Sequence, residues 1–100
     1  DLLCDVYLNV KSGSSENNTN TINNSMSPQW NKTLFAIKGT QLKAGLTVKV
    51  YDDDPGPINQ RMCSVTYKVT DADLTNGYAS FACSAAGVKM ATLFFEFVAK

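Results

Sequence analysis

The chain has 100 residues, 44% of them apolar, which is enough for one small domain with a single hydrophobic core. Nine basic and nine acidic residues give a formal net charge of zero, so no overall field attracts nucleic acid. The absence of histidine excludes histidine-based acid–base catalysis, and we predict neither an enzyme nor a nucleic-acid-binding protein. The chain opens on an apolar run without methionine, so we interpret residues 1–100 as a single domain from a larger protein.

The first half of the chain alternates predicted strands with polar connections. Residues 1–11 alternate between apolar and polar side chains, which is the period of a half-buried strand. The Asn- and Ser-rich residues 12–25 predict a polar hairpin connection, with a short strand near residues 19–23. Residues 30–37 predict the next strand, whose aromatic side chains belong to the core, and residues 39–45 predict a connection.

The most informative stretch is residues 46–54, in which an alternating strand runs directly into three consecutive aspartates. Adjacent like charges repel each other unless they are neutralised, and calcium is the candidate because it accepts several carboxylate oxygens. Strand residues two apart share a face, so the side chains of Asp52 and Asp54 point the same way, and Asp53 offers its backbone carbonyl. A solvated acidic turn is the alternative interpretation.

The second half of the chain is also rich in β-strand signals. Residues 61–69, 78–83 and 90–99 predict strands, and residues 71–77 predict a helical turn or loop. Seven short strands without a helical period predict an all-β fold, an antiparallel β-sandwich.

Four segments of the sequence resemble C2 domains. They are CDVYLNV at residues 4–10, TNTINNSMSPQWN at 19–31, VYDDD at 50–54 and ATLFFEF at 91–97. The last segment is similar to the final strand of C2 domains with the permuted topology, so the resemblance implies a sandwich of that topology whose first strand is missing from this chain. The threonine- and asparagine-rich run before the tryptophan, with a cysteine after the acidic loop, is most similar to the C2 domain of perforin-like pore-forming proteins.

The C2 resemblance implies a calcium site built from two loops. Asp5 of the first loop would converge with Asp52 and Asp54 of the third, with Asp1 nearby and the neutral Asn59 where the family has a further aspartate. The implied ligand set is therefore Asp1, Asp5, Asp52, Asp53, Asp54 and Asn59. Fewer charged ligands imply weak binding, with a dissociation constant of about 10⁻⁴ to 10⁻³ M.

The same loop also suggests how the protein meets lipid. Calcium would neutralise the acidic loops, and Ile58 at the loop tip could then enter the membrane interface, with Met62 as a second candidate. Ordinary packing is the alternative for both side chains, more so for Met62.

The three cysteines and the three glycosylation sequons indicate the cellular compartment in which the protein folds. An odd number of cysteines leaves either a free thiol or a partner outside this chain. The perforin likeness implies a disulfide between Cys63 and Cys83, and hence an oxidising compartment. The sequons begin at Asn17, Asn23 and Asn31. We predict a secreted, peripheral membrane protein, and the alternative is a cytoplasmic protein with buried reduced cysteines.

These observations lead to two functional hypotheses. The first is a calcium-dependent phospholipid-binding module that targets a larger protein, such as a pore-former, to membranes. Its cofactor would be Ca²⁺, and its partners would be the phospholipid surface and the rest of the parent protein. The second is a calcium-independent module for protein interaction or scaffolding.

Overall fold

Two antiparallel sheets make up the fold in a computed structural model, which describes residues 4–25, 28–30, 33–52 and 60–98. In chain order the elements are β1 (Cys4–Ser12), β2 (Ser15–Asn18), β3 (Ile22–Ser25), α1 (Gly39–Ala44), β4 (Leu46–Asp52), β5 (Gln60–Tyr67), α2 (Asp71–Asn76), β6 (Tyr78–Ala85) and β7 (Val88–Glu96). The first sheet has the order β2-β1-β4-β5, with β3 also paired to β1, and the second consists of β6 and β7. The predicted all-β antiparallel fold is confirmed.

The central pair of the first sheet is β1 and β4. Val10 lies opposite Val48 and Leu8 opposite Val50, and these side chains are buried on the inner face. On the outer face Asn9 lies opposite Lys49, which in turn lies opposite Ser64 of β5. One face is buried and the other is not, so the strand period of two fixes the register.

The core lies between the inner faces of the two sheets. Its buried apolar residues are Val6, Leu8, Val10, Leu42, Leu46, Val48, Val50, Cys63, Val69, Ala79, Phe81, Cys83 and Leu93. The expectation that the chain lacks one edge strand of a permuted sandwich stays a prediction.

Two contacts tie the second sheet to the first. Cys63 of β5 and Cys83 of β6 form a disulfide with a Cα–Cα distance of 5.9 Å, which is the pair that the resemblance implies. Nearer the other end of the same strands, the rings of Tyr67 and Phe81 stack with their centroids 4.4 Å apart. Together these contacts fix the direction of β6 relative to β5.

The predicted strand over residues 30–37 is wrong. Within the described residues 28–30 and 33–38 the chain has no regular secondary structure, although Trp30 and Phe35 pack against the core as expected. The carbonyl oxygen of Leu34 accepts a hydrogen bond at 2.6 Å from Nδ2 of Asn17. A side chain thus provides a partner that a neighbouring strand would otherwise supply.

Short elements also differ from the prediction. The single short strand expected near residues 19–23 is replaced by β2 and β3, which lie on either side of Thr19, a buried residue whose hydroxyl accepts a hydrogen bond from the Leu8 N–H. The connection expected at residues 39–45 contains α1. The hydroxyl of Ser12 binds the carbonyl oxygens of Gln41 and Gly45 at 3.2 and 2.8 Å, which satisfies the carboxyl end of that helix.

The helical turn expected at residues 71–77 is confirmed as α2, which begins with a capping box. The Thr70 hydroxyl accepts a hydrogen bond from the Asp73 N–H, and Asp73 accepts one from the Thr70 N–H, both at 3.0 Å. Gly77 ends the helix with a φ of 86°, in the left-handed region that favours glycine. None of the helices in the described ranges is long and apolar enough to cross a membrane.

Asp73 also makes stability depend on pH. Its carboxylate accepts hydrogen bonds from the Thr70 N–H and, at 2.6 Å, from the Tyr67 hydroxyl, and these bonds lower the pKa of Asp73. The same carboxylate raises the pKa of Tyr67. Because the folded pKa of Asp73 lies below the unfolded one, its contribution is complete above about pH 4 and is lost as the pH falls through the folded pKa.

We therefore expect the free energy of unfolding of the Asp73→Asn variant to fall less steeply than that of the wild type as the pH is lowered below about 4. The variant should also be the less stable of the two at neutral pH, because the charged acceptor of the capping box is lost. Urea unfolding measured across this pH range tests both statements. Parallel acid limbs for the two proteins would contradict the role given to Asp73.

Candidate functional site

The candidate site lies where β1 begins and β4 ends. Antiparallel pairing places Asp52, the last residue of β4, opposite Val6 of β1. Oδ1 of Asp52 accepts a hydrogen bond at 3.2 Å from the backbone N–H of Asp5, and both aspartates are half-buried. Two of the six predicted ligands, separated by 47 residues along the chain, are thus neighbours at one end of the sheet.

The other four predicted ligands, Asp1, Asp53, Asp54 and Asn59, lie outside the described residues. Their participation in a site stays a prediction. Over residues 4–25, 28–30, 33–52 and 60–98 no three side chains among His, Cys, Asp and Glu form a group that could hold a metal ion. The described part of the site therefore supplies two carboxylates.

The strand ends at this site are irregular. The pairing of β1 with β3 shifts register between Cys4 and Val6, which is where Asp5 lies. One residue of β1 and two residues of β3 lie between these paired positions, so the extra residue belongs to β3. The alternation of half-buried and buried residues in β1 continues without a break from Asp5 to Val10.

Next to the acidic pair, two tyrosine rings pack against each other across β1 and β4. The rings of Tyr7 and Tyr51 stack on the outer face with centroids 5.0 Å apart and an interplanar angle of 10°. The two residues are direct cross-strand partners, so the stack stabilises the register that brings Asp5 beside Asp52.

The donor atoms available at this end determine the chemistry it can support. Asp5 and Asp52 offer only oxygen, which suits hard cations such as calcium rather than zinc. The chain has no histidine, Cys63 is bonded to Cys83, and the side chain of Cys4, which precedes Asp5, lies outside the described part of the chain. Asp5 and Asp52 fit part of an oxygen-coordinated cation site, which needs further ligands.

Of the two residues predicted to contact the membrane, the structure describes only Met62. Ile58 lies outside the described residues. Met62 is half-buried and packs against the core, as its packing alternative supposes. It is also the extra residue in β5, because Val50 pairs with Cys63 while Tyr51 pairs with Arg61.

Of the three predicted glycosylation sites, the structure describes the side chain of only one. The side chain of Asn23 and the whole of Asn31 lie outside the described part of the chain. Asn17 is half-buried, and its amide nitrogen, the atom that would carry a glycan, donates to the Leu34 carbonyl oxygen. Glycosylation at all three asparagines stays a prediction.

Two antiparallel sheets joined by a disulfide, with Asp5 and Asp52 as neighbours at one end, define a β-sandwich. The chain matches the family model of the C2 domain over residues 1–83, and it therefore belongs to the C2 domain family. C2 domains are generally non-catalytic modules that often bind membranes and calcium or mediate protein interactions. No curated protein matches the chain. The likeness to perforin-like proteins stays a prediction.

Proposed function

We propose that this C2 domain binds phospholipid membranes in a calcium-dependent manner and brings a larger protein to the membrane. The observation that supports this most directly is the hydrogen bond from the Asp5 N–H to the Asp52 carboxylate. It joins the start of one strand to the end of another immediately before an acidic loop. A membrane-targeting module needs such a charged end, whereas a scaffold does not.

The site would work through charge. Asp5 and Asp52 would hold the ion, with Asp1, Asp53, Asp54 and Asn59 as further ligands from sequence. Bound calcium supplies positive charge and coordination positions that lipid phosphate oxygens can fill. The chain's own part would be to bring Asp5 beside the Asp52 carboxylate at a paired strand end, where oxygen atoms of both residues could bind one cation. The small number of charged ligands favours a low affinity, which suits an extracellular calcium level.

The parent protein and its compartment form the second part of the proposal. The Cys63–Cys83 disulfide supports an oxidising compartment and hence a secreted protein that acts at the membrane surface. The sequons at Asn23 and Asn31 agree with this location. The sequence likeness to perforin-like proteins supports a pore-forming parent.

A calcium-independent protein-interaction module is the second candidate. It is favoured by Tyr78 and Phe94, which are exposed on the outer face of the second sheet and stack with centroids 5.5 Å apart. Exposed aromatic pairs of this kind are enriched in protein interfaces. The two candidates differ in their dependence on calcium.

Vesicle cosedimentation tests the proposal. We expect the domain to sediment with phosphatidylcholine–phosphatidylserine vesicles at about 1 mM calcium and to remain in the supernatant when a chelator is added, because only the cation cancels the repulsion between the acidic end and the lipid phosphates. Vesicles of phosphatidylcholine alone report whether the lipid charge matters. Equal binding with calcium and with chelator, or no binding in either condition, would contradict the proposal.

A further inference from the structure

The hairpin formed by β6 and β7 has an exposed apolar tip. Ala86 and Gly87 form its two-residue turn, and both have positive φ values, 51° and 79°, as the tight turns of twisted hairpins require. Val88 and Met90, just beyond the turn, are 61% and 46% exposed, and Lys89 between them is also exposed. Large apolar side chains are thus presented to solvent on both sides of a lysine.

The direction of the hairpin follows from the two contacts between the sheets. Tyr67 meets Phe81 and, further along, Cys63 meets Cys83, so moving from Tyr67 to Cys63 along β5 corresponds to moving from Phe81 to Cys83 along β6. Beyond Cys63, β5 reaches Gln60 opposite Asp52. Beyond Cys83, β6 reaches the hairpin turn. The turn and the acidic pair therefore lie at the same end of the sandwich.

The two strands also extend by similar distances beyond the disulfide. Gln60 lies three positions from Cys63 along β5, and Ala85, the last residue of β6, lies two positions from Cys83. At the rise of an extended strand these segments span about 10 Å and about 7 Å. The hairpin tip thus lies beside the acidic end rather than far behind it.

The tip has a local irregularity that increases its apolar surface. Cys83 pairs with Ala91 but Ser84 pairs with Lys89, so Met90 is an extra residue in β7. The alternation that buries one face of a strand is interrupted there, and three consecutive residues, 88–90, are exposed. In a regular strand with one face packed on the core, at least one of residues 88–90 would be buried.

We propose that Val88, Lys89 and Met90 form a second membrane-contact element, which enters the interface of an anionic phospholipid bilayer at the end of the sandwich that holds Asp5 and Asp52. This inference rests on the proposed membrane-binding function. The apolar side chains of Val88 and Met90 would enter the boundary between headgroups and acyl chains, and the Lys89 ammonium would contact lipid phosphate. Charge complementarity favours this partner, because a cation sits between the two apolar groups.

The size of the tip distinguishes a bilayer from a folded protein partner or a second copy of the chain. A stable protein interface buries about 800 Å² on each partner, far more than three side chains at a hairpin turn present. Insertion into a bilayer needs no matching surface, because any apolar group that leaves water gains free energy. The tip also adjoins the end proposed to meet lipid, so both elements would engage one planar surface.

The test is a pair of matched double variants. Val88→Thr with Met90→Gln keeps the shape of each side chain while making it polar. The control, Val98→Thr with Tyr78→Gln, changes two exposed apolar residues at the opposite end of the second sheet. With phosphatidylserine-containing vesicles and calcium, we expect the partition coefficient of the tip variant to fall about tenfold or more and that of the control to stay within about twofold of the wild type. Calcium affinity without lipid, measured by calorimetry, should be the same for all three proteins.

The outcomes separate this inference from the proposed function. Equal partition of the tip variant and the wild type overturns the hairpin contact and leaves calcium-dependent binding intact. Vesicle binding that is equal with calcium and with chelator, but weaker in the tip variant than in the wild type, overturns the calcium role and supports the hairpin contact. Absence of any vesicle binding overturns both. A change of oligomeric state in the tip variant, seen by analytical ultracentrifugation, with unchanged partition would assign the tip to a second copy of the chain and also overturn the proposal.

Discussion

Replacing Cys63 and Cys83 together by alanine is expected to lower the free energy of unfolding by about 3 kcal/mol. The disulfide links residues 20 positions apart, so it removes much of the conformational freedom of the unfolded segment between them. Both cysteines are buried, and together they form the covalent link between the two sheets. For a domain of this size such a loss is a large fraction of the total stability.

Urea unfolding of the wild type and the double variant measures this effect. Reducing agent provides the matched control, because it should move the wild-type midpoint towards that of the variant and leave the variant unchanged. A wild-type midpoint that does not respond to full reduction would contradict the stabilising role of the bond. A count of free thiols in the unreduced protein, with Cys4 as the remaining cysteine, checks that the bond is formed.

The second large effect is expected at Asp52. The Asp52→Asn variant should bind calcium about tenfold more weakly or worse, because a charged ligand is replaced by a neutral one. Its fold should be retained, since the asparagine Oδ1 can still accept the hydrogen bond that Asp52 accepts from the Asp5 N–H. Charge and hydrogen bonding are thereby separated in a single substitution.

The matched control is Asp71→Asn, which removes an exposed carboxylate from α2, where it forms an ion pair with Lys43 at 2.7 Å. Calorimetric titration with calcium should leave this control near the wild type, and thermal unfolding should show that both variants are folded. Equal calcium affinity of Asp52→Asn and the wild type would remove Asp52 from the site. A matching loss in Asp71→Asn would indicate nonspecific charge effects.

Local sequence pattern predicts the strands well where one face is buried. β1 and β4 follow the alternation closely, and the rings of Tyr7 and Tyr51 stack across the two strands on the outer face. The apolar pattern around Phe35 wrongly predicts a strand, because the side chains of this segment pack on the core without a neighbouring strand. Apolar composition reports burial, whereas a strand also requires a neighbouring backbone, which no local pattern reveals.

The site shows the same limit. The acidic end of β4 can be found in the sequence because Asp52 ends an alternating run. Its closeness to Asp5 depends on pairing between distant strands and was reached only through the family resemblance. The sequence does not reveal the exposed tip, because Met90 matches the start of a predicted strand and Val88 lies just before that strand. The bulge that exposes them arises from pairing with β6 and leaves no mark in composition.

The outer face of the first sheet offers a separate means of tuning this domain. Asn9, Lys49 and Ser64 form a row across three strands on the side facing away from the core. Charges added along this row would change the net charge, zero in the present sequence, without altering the packed interior. The speed of approach to an anionic surface could thus be engineered independently of stability and of the contacts made on arrival.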